Sequence, residues 1–188
     1  MFILASASPR REELLRQIGC VFDVVPSRAA EIADVTLAPT ELALANAKLK
    51  ARQVAAEHPG VAILGADTVV CLGDRVYGKP QNADDAKFML MQLSGKIHRV
   101  VTGLALVNNK RLYSVAAVTE VRFASLTEDE TDAYVATGEP LDKAGGYAVQ
   151  GKAAAFIEGI NGSYSNVVGL PLYAFTRLAK KAGVSLYE

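Results

Sequence analysis

FILASASPRREELLRQIG, residues 2–19, reads as a strand, a tight turn and a helix. Phe2 to Ala5 form a short apolar run suited to a buried strand. Ser8 and Pro9 then supply a cap and a first helical residue, and Leu14, Leu15 and Ile18 recur on one helical face before Gly19 ends it. With Ser8 at the N-cap, Arg10 and Arg11 fall at the second and third helical positions, where free backbone N–H groups and the helix dipole favour negative charge. A capping box would place Glu or Gln at the third position. Two arginines there break that local rule in a direction that welcomes an anion, so Ser6, Ser8, Arg10 and Arg11 form a candidate phosphate corner. The competing reading is that Glu12 and Glu13 neutralise the arginines, which then simply face water.

Outward from this corner, strand and helix patterns alternate. Residues 21–25 read as a second strand and a polar loop with Glu31 follows; Pro39 opens a long Ala-rich helix ending near His58. Residues 61–72 are an apolar run interrupted at Gly65, and Gly73-Asp74 is a two-residue hairpin turn into residues 75–77. Asn82 caps a helix to Leu93. Residues 98–107 and 111–123 read as two long strands joined at Asn108 and Asn109. Thr127 with Glu130 spells a capping box for a helix that stops at Gly138. A Gly-rich loop over 139–151 leads to an expected strand at 154–158, and a last helix runs from Pro171 to Gly183. Helices alternating with hairpins predict an α/β domain on a mixed sheet, with residues 1–188 as one domain.

The composition bounds the function. The chain has 188 residues, 51% hydrophobic and 21% charged, with 20 basic and 20 acidic side chains and no formal net charge. No global field draws nucleic acid or an anionic membrane, so an anion site must be local. No stretch matches a signal-peptide core or a membrane span, which places the expected location in the cytoplasm. Cys20 and Cys71 are isolated and the histidines are His58 and His98, too few ligands for structural zinc; two buried free thiols are expected.

Asp67 is the only charged side chain in the run 61–72. An unpaired buried carboxylate costs several kcal/mol (roughly 3 to 5), so it should meet a metal, a cation or hydrogen-bond donors, an environment common at catalytic sites. The alternative is a strand-end aspartate satisfied by Thr68 or backbone N–H groups. Gly73 to Lys79 spells GxxxxGK, but Pro80 follows where a phosphate-binding loop needs Ser or Thr opening a helix, so Lys79 is at most a point charge for a phosphate. In the loop 142–151, Gln150 could read a nucleobase edge and Tyr147 could pack on a ring; an ordinary surface loop fits the same residues. Lys50 reads as a solvated lysine unless its helix reaches a site, and His98 as a strand-surface residue.

Together the segments LASASPRR (4–11), Lys50-Ala51, GADT (65–68), GKP (78–80), LSG (93–95) with His98, Thr102-Gly103, DKAGGYAVQG (142–151), Asn161-Gly162-Ser163 and Gly169-Leu170-Pro171 resemble the Maf family of nucleotide pyrophosphatases over nearly the whole chain. The resemblance implies an elongated mixed sheet flanked by helices in two lobes about a cleft. It implies Asp67 as proton acceptor, and a divalent cation, magnesium or manganese, held partly by Glu31 and Asp67. The substrate would be a nucleoside triphosphate bound by Ser6, Ser8, Arg10, Arg11, Lys50, Thr68, Lys79 and Gln150, with release of pyrophosphate. The family often has paired acids where this chain has Ala30 and Glu31. The 142–151 loop, with Arg10, Thr68 and Gln150, looks like the branch acting on dTTP and UTP. A homodimer is also implied. Two rival readings are a non-catalytic nucleotide-binding regulator of septum formation and a pyrophosphatase for modified nucleotides.

Overall fold

The computed structural model describes residues 1–33 and 36–187. Seven strands make one sheet in the order β2-β1-β3-β5-β6-β7, with β4 paired to β3: β1 Phe2–Leu4, β2 Phe22–Val24, β3 Ala62–Leu72, β4 Arg75–Tyr77, β5 Ile97–Asn108, β6 Arg111–Phe123 and β7 Ile157–Asn161. The helices are α1 Pro9–Gln17, α2 Pro39–Glu57, α3 Ala83–Leu93, α4 Glu128–Val135, α5 Tyr164–Val168 and α6 Leu172–Ala182. β1 pairs parallel with both β2 and β3, whereas β3–β4 and β6–β7 are antiparallel, so the sheet is mixed as the hairpin signals predict. Among the described residues no helix is long and apolar enough to cross a membrane.

The chain divides into two compact units, one of residues 1–68, 102–117 and 169–188, the other of residues 69–101 and 118–168. In the first unit, α2 lies on the sheet through its alanines. Ala43, Ala47 and Ala51 are fully buried. A Cβ added at Gly65 of β3 would sit 2.3 Å from the Ala47 carbonyl oxygen, and one at Gly103 of β5 would sit 2.4 Å from that of Ala43. The small residues on both sides allow helix backbone to meet strand backbone, which larger side chains would prevent. Gly65 therefore does not break the strand, as its sequence pattern suggests; β3 runs through it. Ile3, Ala5, Val54, Ile63 and Ala105 complete this core.

The second unit packs Val70, Tyr77, Leu90, Leu93, Val100, Val121, Phe123, Tyr134 and Tyr147 together. Its helix starts follow the sequence. The Asn82 side chain accepts the Asp85 N–H at 2.9 Å, and Thr127 and Glu130 form the reciprocal capping box. Three expectations shift. The final strand begins at Ile157 rather than Ala154, because Lys152–Phe156 coils into a 3₁₀ turn whose first N–H is held by Glu139. The turn between β5 and β6 sits at Asn109 and Lys110, both at positive φ. Helix α5 is an addition, and its five residues are too short to show periodicity. Of the two free thiols Cys71 is buried, but Cys20 is only half-buried.

Candidate active site in the first unit

The carboxyl end of β1 and the middle of β3 bring the corner and the acid together. After Leu4 the parallel pairing persists, with the Ala5 N–H donating to the Leu64 carbonyl at 2.8 Å. This places Ser6 to Ser8 beside the segment Gly65 to Thr68. Ser8 is the N-cap of α1 in an extended conformation, and Pro9 is its first helical residue, but the Ser8 hydroxyl makes no capping bond. Its N–H donates instead to Ser6 Oγ at 3.3 Å.

Arg11 turns inward. Its guanidinium donates from Nε to the Gly169 carbonyl at 2.8 Å, from Nη1 to Ser6 Oγ at 3.0 Å and from Nη2 to Thr68 Oγ1 at 3.0 Å. The side chain is buried, and that burial lowers its pKa, while the charge of Asp67 acts in the opposite direction. Thr68 Oγ1 also lies 2.9 Å from Thr102 Oγ1. One cation thus ties α1, the turn after β1, β3 and the start of the C-terminal segment together, a use of Arg for which a point-charge Lys is no substitute. The neutralisation of the arginines by their neighbours is not what forms: Glu12 pairs with Arg16, one turn on, at 2.8 Å. Arg10 stands half-buried on the same turn.

Asp67 is buried, with 7% of its surface exposed, and is not satisfied by Thr68. Lys50 Nζ donates to Asp67 Oδ1 at 2.6 Å and to Glu31 Oε1 at 2.7 Å. The solvated-lysine reading of Lys50 therefore fails: its side chain is only 14% exposed. The close seat of α2 on Gly65 explains its reach. One turn earlier on the same face, Asn46 accepts the Ile32 N–H on Oδ1 at 2.7 Å and donates from Nδ2 to the Ile32 carbonyl at 3.1 Å. It also lies 3.4 Å from Asp67 Oδ2, a weak contact. Asn46 pins the segment next to Glu31 and so holds the second carboxylate in place. The sequence singles out no role for Asn46, and it places Thr102 and Gly169 in family-like segments without assigning either to the site. The available signal for Asn46 is a lone amide four residues before Lys50 on an Ala-rich helix, a spacing that puts both on one face.

The structure thus brings two bonded groups together, Ser6, Arg11 and Thr68 in one and Glu31, Lys50 and Asp67 in the other, adjoining at Asp67 and Thr68 on β3, with Ser8 and Arg10 on the turn beside Ser6. Every member belongs to the first unit. The chain belongs to the Maf-like protein family. That family matches residues 1–182. Similar proteins named dTTP/UTP pyrophosphatase include one from Bacillus cytotoxicus, 47% identical over 96% of this chain and 94% of that protein. A second, from Gloeobacter violaceus, is 52% identical over 90% of both chains. A third, from Symbiobacterium thermophilum, is 46% identical over 98% of this chain and 95% of that one. The solved structure of the Staphylococcus aureus Ham1 protein aligns with a TM-score of 0.43 and 12% identity over 65% of this chain and 71% of that one.

The other two candidate substrate residues, Lys79 and Gln150, lie in the second unit. Lys79 is exposed just after β4, and Gln150 is exposed at the end of the loop 142–151. Tyr147 does not offer its ring to a ligand. It is buried, with its centroid 4.8 Å from that of Phe123. His98 is no surface residue either: only 1% of it is exposed, because its side of β5 faces the core of this unit.

Proposed function

We propose that the protein is a nucleoside triphosphate pyrophosphatase that converts dTTP and UTP to the monophosphate and pyrophosphate, clearing nucleotide pools. The observation that carries this reading is the convergence of Glu31 and Asp67 on one ammonium, Lys50, beside the arginine-held corner. In the reaction a water oxygen bonds to the α-phosphorus, the bond from that phosphorus to the bridging oxygen breaks, and pyrophosphate leaves with the electron pair. Asp67 orients the water and takes its proton, the role of a positioned general base. Ser6, Ser8 and Arg10 receive the phosphate oxygens at the start of α1, where helix N–H groups add to the field. Arg11 holds Ser6 and Thr68 in place and lends its charge from beneath. Lys50 and Lys79 neutralise the remaining phosphate charge. Gln150 recognises the pyrimidine edge, and Arg10 and Thr68 contribute to the preference.

Two carboxylates that reach the same cation suit a hard ion that takes oxygen ligands and shares them with phosphates. Glu31 and Asp67 would hold a magnesium or manganese ion, which when bound neutralises developing charge and polarises the phosphoanhydride. The test is pyrophosphate release from a panel of pyrimidine, purine and modified triphosphates, with and without each metal. Preferential turnover of dTTP and UTP is expected. Binding without turnover would favour a regulator, and faster turnover of modified nucleotides would change the substrate class.

A further inference from the structure

The loop 142–151 is fixed at its two ends by backbone and carboxylate contacts. The Gly145 N–H donates to the Gly78 carbonyl at 2.9 Å, and a Cβ at Gly145 would lie 2.9 Å from the Val70 side chain. Near the other end, the Glu139 carboxylate accepts the Lys152 N–H at 3.1 Å and the Tyr134 hydroxyl at 2.9 Å, and it occupies the space a Cβ of Gly151 would need. Between these points Tyr147 is the one side chain of the stretch 147–150 that is buried; Ala148 and Val149 are half-buried and Gln150 is exposed. Two residues, Ala148 and Val149, therefore separate the core anchor from the amide expected to meet the base.

What Tyr147 is anchored to is a buried imidazole. His98 Nε2 lies 2.7 Å from the Tyr147 hydroxyl, and its ring packs edge-on against both Tyr147 and Phe123, with centroids 5.3 and 4.9 Å away. His98 Nδ1 has no hydrogen-bond partner. A buried ring with one nitrogen unpaired serves a core less well than an apolar residue of the same shape, because the unpaired atom forfeits its hydration. Desolvation keeps this imidazole neutral, with its pKa lowered to about 4. Its distinctive contribution is the bond to Tyr147.

We propose that His98 is a positioning residue for substrate selection: through the Tyr147 hydroxyl it sets the tilt of the loop 142–151 and so the placement of Gln150. The proposal rests on the reading of that loop as the base-recognition element. Nothing in it requires His98 to touch the nucleotide. A hydrogen bond to the phenol oxygen fixes where the tip of the Tyr147 ring lies as well as its depth, which apolar packing alone does not.

Steady-state kinetics with dTTP, UTP and a purine triphosphate test this on Tyr147→Phe, which keeps the ring and removes the hydroxyl, and on His98→Leu and His98→Gln. Loss of the bond should raise KM for dTTP and UTP by about tenfold with kcat changed by less than about twofold, and should shrink the discrimination against the purine. His98→Gln, which can place an amide nitrogen near the same point, should restore both. A lower melting temperature in Tyr147→Phe with unchanged KM and discrimination would reduce His98 to a core residue and overturn the proposal; this variant decides the matter even if His98→Leu does not fold. Gln150→Ala keeps the two failures apart. If it loses discrimination while folded Tyr147→Phe does not, the role of His98 is overturned. If it too retains full discrimination, the loop is not the recognition element, and the role of His98 falls with that reading.

Discussion

Lys50, in the middle of α2, and Asp67, in the middle of β3, form a 2.6 Å ion pair in which neither side chain is more than 14% exposed. Such a pair is costly to break by removing one partner, since the other is left charged and poorly solvated. Lys50→Met should lower stability by about 3 kcal/mol and reduce turnover sharply. Adding Asp67→Asn to it should recover part of the lost stability and none of the activity. Chemical denaturation of the two single variants and the double variant measures the coupling.

The reach of Lys50 depends on Gly65. A methyl group there meets the Ala47 carbonyl oxygen at 2.3 Å, with the Ala51 N at 2.8 Å, so α2 must move away from the sheet. Gly65→Ala should destabilise the protein by about 3 kcal/mol, the upper range for overpacking against backbone. Its remaining folded fraction should still turn over slowly, because the displacement withdraws Lys50 and Asn46 from Asp67. Activity per folded molecule, with folding followed by circular dichroism, separates the two effects.

Arg11 and a lysine in its place carry the same charge but differ in geometry. Arg11→Lys cannot reach Ser6, Thr68 and Gly169 together as the guanidinium does. If Arg11 acts by holding these groups, kcat/KM should fall by about tenfold or more and the melting temperature should drop. Retention of full activity in Arg11→Lys would mean that only its charge matters.

Much of the framework is written locally. The turn at Gly73 and the caps at Asn82 and Thr127 each depend on residues a few positions apart, and each forms as its pattern predicts. The misplaced elements are those where a distant partner decides. The coil at Lys152–Phe156 depends on Glu139, and the burial of His98 depends on Tyr147, 49 residues later. The inward turn of Arg11 depends on a carbonyl 158 residues away. A sequence pattern can show that two arginines open a helix, but which of them turns into the protein is set by that long-range acceptor. The acid was legible because a carboxylate in an apolar strand needs a partner; its partner, Lys50, was not, since a helical lysine has water as its ordinary surroundings.

Acid should weaken the fold through His98. Its pKa is lowered from 6.5 to about 4, so the unfolded chain binds a proton that the folded protein does not as the pH falls through 6.5. Stability from this group is complete above about pH 6.5 and is lost progressively down to about pH 4, a loss of about 3 kcal/mol at the lower limit. Unfolding free energies from urea titrations at about pH 7.5 and about pH 5 should differ by more in the parent protein than in His98→Gln, the excess being about 2 kcal/mol. Equal slopes in the two proteins would mean that His98 titrates normally.

Asp67, paired with Lys50, is the proposed base that activates water for pyrophosphate release. Pyrophosphate released from dTTP by Asp67→Asn in the presence of magnesium or manganese tests it most directly, with circular dichroism confirming the fold. Turnover should fall by about 10² to 10⁴-fold. Turnover close to that of the parent protein would contradict it.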